Sequence, residues 1–144
     1  MVKNILFVCK HNIFRSRAAE EFFKKFNKNI KWKARSAGII KWRLEDLKLD
    51  KGFEAVKKVS KEFGIKLEVR PRALDSGILE KTDLVVIVAD DVSPSIFNDR
   101  SFKGKVILWK IKDIKIGDKD KEGLARKGIV EIEKRVKKFA EDLK

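Results

Sequence analysis

A chain of 144 residues with 43% hydrophobic residues has the length of one ordinary domain, so we expect a single domain over residues 1–144. No apolar run approaches the roughly 20 residues that span a bilayer, and one cysteine excludes both an internal disulfide and a two-cysteine redox relay. The net charge of +14 comes from lysines spread along every segment, which is more typical of a solvated surface than of a nucleic-acid-binding block. We therefore expect a cytoplasmic protein with neither a membrane nor a nucleic acid as partner. The 40% charged composition resembles that of proteins adapted to high temperature.

The first half of the chain alternates predicted strands with predicted helices. Residues 3–8 form a nearly continuous apolar run, which is typical of a strand covered on both faces. Residues 16–26 place their apolar side chains on one helical face, and Ser16 is suited to cap that helix. Residues 30–36 alternate apolar and charged side chains, as a half-exposed strand does. Residues 52–63 have helical spacing, which Gly64 ends.

The second half contains the strongest strand signal. Residues 65–69 are predicted to be extended, and residues 75–81 form one or two helical turns. Residues 83–89 are β-branched and apolar throughout, which predicts a central buried strand. Further elements are a short helix near residues 96–97, a strand at 105–109, a polar loop at 110–120 and a terminal helix of about 20 residues. This alternation predicts an α/β fold, a three-layer sandwich with a central four-stranded parallel sheet flanked by helices on both faces.

The loop between the first strand and the first helix carries the only cysteine. Ligands of such folds bind at the carboxyl ends of the strands, which is where Cys9 lies. A lone cysteine at such a position is usually structural, but here Arg15 follows six positions later. Asn12 can adopt a left-handed turn, and the Ser16 hydroxyl can donate to a thiolate. Backbone N–H groups, the guanidinium and a helix N-terminus then converge on one anion beside the sulfur, which predicts a phosphate-binding loop with a nucleophilic cysteine.

This loop resembles the signature of a known family. Residues 8–20 read Val-Cys-Lys-His-Asn-Ile-Phe-Arg-Ser-Arg-Ala-Ala-Glu, which is similar to the signature of the low-molecular-weight protein tyrosine phosphatases. That family shares its fold with one class of arsenate reductases. The resemblance covers nearly the whole chain, through Ser36-Ala37-Gly38, Gly64-Ile65, Arg70-Pro71-Arg72, residues 82–88 and Trp109-Lys110-Ile111-Lys112-Asp113.

The resemblance implies a mechanism without metal or cofactor. Cys9 attacks phosphorus, Arg15 holds the equatorial oxygens, and Asp113 protonates the departing phenolate before helping water release phosphate. Asp118 and Asp120 lie close enough in sequence to compete for the acid role. The residues expected to bind substrate are those of the loop, together with a tryptophan that could wall the site: Lys10, His11, Asn12, Ile13, Phe14, Ser16 and Trp42.

The chain departs from the family pattern at several positions. His11 replaces a common glycine and is a form associated with the arsenate reductase branch. Phe14 replaces a frequent second cysteine, and Arg17 and Ile114 stand where prolines are usual. Where phosphatases carry aromatic residues that stack on phosphotyrosine, this chain has Ile114, Lys115 and Ile116. Trp42 is therefore the one candidate for an aromatic side chain that lines the substrate site.

Three functions follow from these observations. The favoured one is a metal-independent phosphatase acting on aryl phosphates, with protein phosphotyrosine as the expected substrate and phosphate, vanadate or arsenate as anion ligands. The second is an arsenate reductase that uses an external thiol, because no second cysteine is present to resolve the adduct. The third is a catalytically silent module that binds phosphoproteins. An intact Cys9, Arg15 and candidate acid argue against the third.

Overall fold

The computed structural model describes residues 2–40, 51–67, 71–114 and 118–143. These residues form four strands and five helices. In chain order they are β1 (Lys3–Cys9), α1 (Arg15–Phe26), β2 (Trp32–Gly38), α2 (Lys51–Glu62), α3 (Ser76–Glu80), β3 (Leu84–Val88), α4 (Ser95–Asp99), β4 (Lys105–Trp109) and α5 (Lys121–Asp142). The strands build one parallel sheet in the order β2-β1-β3-β4.

Side chains of β1 alternate between two apolar layers, one on each face of the sheet. Ile5 and Phe7 pack with α1, α2 and α5 on one face, where Phe22 and Ile129 are fully buried. Leu6 and Val8 belong to the layer on the other face, which includes side chains of α3 and α4, and Cys9 at the end of the strand packs with the same layer. Because the pleat sends successive side chains to opposite faces, a strand that is apolar at every position requires a covering layer on both sides. The predicted three-layer sandwich is confirmed.

The predicted elements agree with this architecture, with shifts at their ends. β3 is an internal strand as expected, and Asp75 caps α3 by accepting a hydrogen bond from Ile78 N–H at 2.8 Å. Gly64 follows α2 with φ of +75°, a backbone conformation that glycine adopts readily. β2 begins two residues later than predicted and ends at Gly38. Residues 65–67 form no strand, and residues 68–69 lie outside the described residues.

The prediction that Ser16 caps α1 is wrong. The helix begins at Arg15, the N-cap position is Phe14, and no side chain caps it. The physical reason is that the Ser16 hydroxyl is already used by Cys9 and Asn12, as described below. In the described part of the chain, every helix is too short or too polar to cross a membrane.

Candidate active site

The residues from Cys9 to Arg15, here called the cysteine loop, connect the end of β1 to the start of α1. The Cys9 sulfur lies at the carboxyl end of an internal strand and is 2% exposed. Asn12 N–H donates a hydrogen bond to the Cys9 sulfur at 3.2 Å, and the Ser16 hydroxyl oxygen lies 3.0 Å from the same atom. Asn12 has the predicted left-handed conformation, with φ of 58°. That turn brings Asn12 N–H to the Cys9 sulfur.

The Asn12 side chain connects the loop to Ser16 and Arg72 through hydrogen bonds. It is fully buried, its Nδ2 donates to the Ser16 hydroxyl oxygen at 2.7 Å, and its Oδ1 accepts from Arg72 N–H at 2.7 Å. Since Ser16 accepts this bond, its own hydroxyl hydrogen can turn toward the Cys9 sulfur. The arrangement can supply the sulfur with two hydrogen-bond donors, Asn12 N–H and the Ser16 hydroxyl.

The end of β2 supports the loop from the other side. Ile39 N–H donates to the Cys9 carbonyl at 3.1 Å, and Ile40 N–H donates to the Lys10 carbonyl at 2.9 Å. A Cβ placed on Gly38 would lie 2.5 Å from the His11 carbonyl carbon and 2.7 Å from the Asn12 nitrogen. Only a glycine therefore allows the loop backbone to approach β2 this closely.

The side chain of Arg15, at the end of the cysteine loop, is buried and only 2% exposed. Its Nη1 donates to Asp91 Oδ1 and to the Ile111 carbonyl, each at 3.0 Å, and lies 3.7 Å from Asp90 Oδ1. Its Nη2 lies 3.5 Å from Asp113 Oδ2. Burial lowers the pKa of Arg15, but the Cys9 sulfur, Asp113 and Asp91 outweigh burial and raise the pKa above its ordinary value. The guanidinium is thus a permanent cation, anchored through Nη1, whose Nε and Nη2 edge can meet two oxygens of an anion.

Of the three aspartates considered as acids, Asp113 lies beside Arg15, with its Oδ2 3.5 Å from Nη2. Its Oδ1 also accepts from Ile114 N–H at 2.9 Å, which fixes the carboxylate beside the arginine. Asp120 is instead the N-cap of α5, where its Oδ1 accepts from Gly123 N–H at 3.0 Å. The backbone carbonyl of Asp118 accepts from Lys121 Nζ at 2.8 Å. The geometry thus groups Asp113 with the predicted loop residues.

The family model for low molecular weight phosphotyrosine protein phosphatases matches residues 4–144, which include the cysteine loop and Asp113. The chain belongs to this family. Its members and structural relatives support a phosphatase or an arsenate reductase of this fold.

Solved structures of other proteins have the same fold as this phosphatase-family chain. An arsenate reductase from Archaeoglobus fulgidus DSM 4304 is 33% identical, with 96% of this chain and 99% of that chain covered and a TM-score of 0.71. A low molecular weight protein tyrosine phosphatase from T. tengcongensis is 22% identical, with 98% and 99% covered and a TM-score of 0.67. An arginine phosphatase from Geobacillus stearothermophilus is 20% identical, with 96% and 91% covered and a TM-score of 0.71. Among curated proteins, none matches this sequence.

His11 gives this phosphatase-family loop a titratable group. Burial lowers the pKa of the His11 imidazole, Asp113 opposes that effect, and Lys10 and Arg15 lower the pKa further. The net direction is downward, so the imidazole is neutral at pH 7. His11 therefore adds no positive charge to the loop at neutral pH.

The other predicted loop residues differ in exposure. Lys10 and Ile13 are half-buried, whereas Phe14 is 5% exposed and lies close to Gly128 of α5, where an added Cβ would meet its ring at 3.3 Å. Phe14 thus packs the loop against the apolar layer, and its part in binding substrate stays a prediction. Trp42, the predicted wall, lies outside the described residues, as do Lys115 and Ile116.

Sequence reasoning missed residues that the fold brings to this family site. Asp90 and Asp91 contact Arg15 from the end of β3, and Gly38 makes room for the loop. The place of the two aspartates near Cys9 could have been predicted from the sequence. They directly follow the strongest predicted strand, and the carboxyl ends of parallel strands share one edge of the sheet. Nothing in the sequence indicated that Gly38 lies against His11, because that proximity results from strand pairing.

Proposed function

We propose that this protein is a metal-independent cysteine phosphatase that hydrolyses aryl phosphates, with protein phosphotyrosine as its substrate. The observation that carries the proposal is the pairing of the Cys9 sulfur, bonded by Asn12 N–H at 3.2 Å, with the buried Arg15 guanidinium. A sulfur nucleophile, a fixed guanidinium and loop N–H groups supply what phosphoryl transfer requires, which is positioning and positive charge at the equatorial oxygens.

The first step transfers the phosphoryl group to sulfur. The Cys9 thiolate attacks phosphorus in line while the bond from phosphorus to the phenolic oxygen breaks. The Nε and Nη2 edge of Arg15 and the loop N–H groups hold the three equatorial oxygens as charge spreads over them. Asp113, protonated at this stage, gives its proton to the departing phenolate. The products are a phenol and a phosphocysteine.

The second step returns the enzyme to its starting form. Asp113, now a carboxylate, takes a proton from a water molecule as its oxygen attacks phosphorus. The bond from sulfur to phosphorus breaks, phosphate leaves, and Cys9 departs as a thiolate that the hydroxyl of Ser16 can stabilise at 3.0 Å. Asp113 ends this step with a proton in place of the one that it gave up in the first step.

The position of Asp113 supports its assignment as the acid. It lies two residues beyond the Ile111 carbonyl that anchors Arg15, and its Oδ2 is 3.5 Å from Arg15 Nη2. A phosphate ester that binds Nη2 takes over this contact, and the carboxyl group is then adjacent to the leaving-group oxygen. Asp120 caps α5 by accepting a hydrogen bond from Gly123 N–H, so a structural role accounts for its position.

Hydrolysis of p-nitrophenyl phosphate at mildly acidic pH, in the presence of a metal chelator, tests this function. We expect turnover by the wild type, loss of turnover in Cys9→Ser, and a reduction of about 100-fold or more in kcat for Asp113→Asn with phosphate binding retained. Asp120→Asn is the matched control and should keep its kcat. A wild type that binds a phosphotyrosine peptide without hydrolysing it would replace the phosphatase with a binding module.

Substrate class is tested by comparing phosphotyrosine, phosphoserine and phosphoarginine peptides of one sequence. We expect the highest kcat/KM for phosphotyrosine, because a phenolate is a better leaving group than an alkoxide and the matched family model is that of phosphotyrosine phosphatases. A preference for phosphoarginine would move the chain toward the function of the arginine phosphatase with which it shares its fold.

Arsenate reduction is the second candidate, because the relative at 33% identity is an arsenate reductase. Cys9 would attack arsenic(V), and external thiols would supply the two electrons that give arsenic(III), since the sequence has one cysteine. Arsenite production that requires both arsenate and an added low-molecular-weight thiol, with a kcat/KM above that for aryl phosphates, would favour this candidate.

A further inference from the structure

Arg17 is a second buried arginine beside the cysteine loop. It lies in the first turn of α1, is 6% exposed, and its Nη1 donates to Asn12 Oδ1 at 3.4 Å. A guanidinium is rarely buried unless its charge and its donors are used, because removing it from water costs several kcal/mol. The contact with Asn12 identifies the part of the site on which Arg17 acts.

Asn12 needs support because its backbone has an unfavourable conformation. Residues other than glycine adopt φ of 58° uncommonly, and the loop depends on this turn to aim Asn12 N–H at the Cys9 sulfur. The Asn12 carboxamide is held at both ends. Its Oδ1 accepts from Arg17 and from Arg72 N–H, and its Nδ2 donates to Ser16.

Arg17 is also connected to the sulfur through a chain of hydrogen bonds. Its Nη1 donates to Asn12 Oδ1 at 3.4 Å, Asn12 Nδ2 donates to the Ser16 oxygen at 2.7 Å, and the Ser16 hydroxyl lies 3.0 Å from the Cys9 sulfur. A cation at one end of such a chain polarises each donor toward the anion at the other end. The positive charge therefore adds to the potential that attracts an anion, although Arg17 itself lies behind the loop.

We propose that Arg17 is a positioning residue, which acts through Asn12 to hold the cysteine loop in the shape that binds a phosphate dianion. The inference rests on the proposed function in one respect, the identity of the anion as phosphate. If Arg17 sets the fraction of molecules whose loop is in the binding shape, losing it weakens phosphate binding and kcat/KM by the same factor.

Calorimetric titration with inorganic phosphate, alongside kinetics on p-nitrophenyl phosphate, tests the proposal in the full chain. We expect Arg17→Met to weaken phosphate binding about tenfold and to lower kcat/KM by a similar factor, with Arg17→Lys recovering part of both. Arg35→Met is the matched control, because it removes an exposed arginine of β2, and it should change neither quantity more than about twofold.

A second pair of variants shows whether Arg17 acts through Asn12. Asn12→Gly keeps a residue that tolerates positive φ but removes the carboxamide, so adding Arg17→Met to it should weaken phosphate binding no further. A full tenfold loss in the Asn12→Gly background would overturn the proposal. A lower melting temperature with unchanged phosphate affinity, measured where both proteins are folded, would also overturn it by reducing Arg17 to a structural role.

The phosphate titrations still test the role of Arg17 if one variant fails to fold or if the wild type shows no turnover. Should Arg17→Met not fold, Arg17→Gln takes its place, and unchanged phosphate affinity in that variant rejects the proposal. If the wild type binds phosphate but hydrolyses no aryl phosphate, the proposed function alone is rejected. The phosphate affinities of the variants then still test the role of Arg17. An active wild type with unaffected Arg17 variants rejects this inference alone.

Discussion

Arg15 Nη1 lies 3.0 Å from Asp91 Oδ1, although the two residues are 76 positions apart in the chain. The same nitrogen donates to the Ile111 carbonyl, so both of its hydrogens are engaged and the guanidinium cannot rotate freely. Asp91 follows β3 and Ile111 follows β4, which makes the orientation of the arginine a property of the whole sheet edge. The edge formed by Nε and Nη2 is then held in one direction, ready for an anion.

Replacing Asp91 with alanine should reduce kcat by about 10- to 100-fold. A hydrogen bond to a charged group contributes about 1.5–3 kcal/mol, and Arg15 would lose the partner that aims it at the transition state. Phosphate affinity should change only a few-fold, because losing a nearby carboxylate also removes repulsion of the dianion. Steady-state kinetics and calorimetry check this. Asp99→Ala, which changes an exposed residue of α4, is the control, and a kcat within twofold of wild type in Asp91→Ala would contradict the anchoring role.

Gly38→Ala should displace the cysteine loop. The added Cβ would meet backbone atoms of His11 and Asn12 at 2.5 Å and 2.7 Å, and backbone cannot rotate away as a side chain can. A shift of about 1 Å in catalytic groups costs about 100-fold in rate, so we expect kcat/KM to fall by about that factor. Gly77→Ala is the control, since its Cβ would make an ordinary contact with Asp75 at 3.4 Å. Equal activity of the two variants would show that the loop tolerates the shift.

Ser16→Ala should slow the release of phosphate from sulfur. The hydroxyl that stabilises the departing thiolate is lost, so we expect kcat to fall about tenfold and a burst of phenol to precede slow turnover. The buried Asn12 amide also loses its acceptor, which should lower the free energy of unfolding by about 1–3 kcal/mol. Ser60→Ala removes a buried serine that donates to the Val56 carbonyl, and its kcat should be unchanged. Stopped-flow kinetics that show no burst would count against this role for Ser16.

The single histidine of the chain gives a direct test of site electrostatics. We expect the NMR titration midpoint of His11 to lie below the ordinary value of about 6.5, and phosphate to raise it, because a dianion favours the imidazolium. Since the folded state binds this proton less readily than the unfolded state, His11 should lower the free energy of unfolding as pH falls through that ordinary value. Chloride at matched ionic strength is the control. A midpoint that phosphate leaves unchanged would place His11 away from the anion.

The residues of the cysteine loop could be predicted because they are neighbours in sequence. Cys9, Asn12, Arg15 and Ser16 lie within eight consecutive positions between a buried strand and a helix, so a short loop brings them together wherever the strand is. The alternation of strands and helices likewise determined the parallel sheet and the edge at which the loop lies. Two roles were predicted for Ser16. The hydroxyl lies beside the Cys9 sulfur as expected, whereas the helix cap was wrong because local propensity does not decide between competing partners.

Only the tertiary structure decided which distant groups meet that loop. Gly38, Arg72, Asp91 and Asp113 come from four separate segments, and their distances to the loop result from strand order and register. A sequence pattern can predict that polar residues follow a strand. It does not predict which carboxylate faces the arginine, because that depends on side-chain packing across the sheet edge. The cysteine loop is therefore a local property of the sequence. The anchoring of Arg15 by Asp91 and of Asn12 by Arg72 arises only when the sheet is assembled.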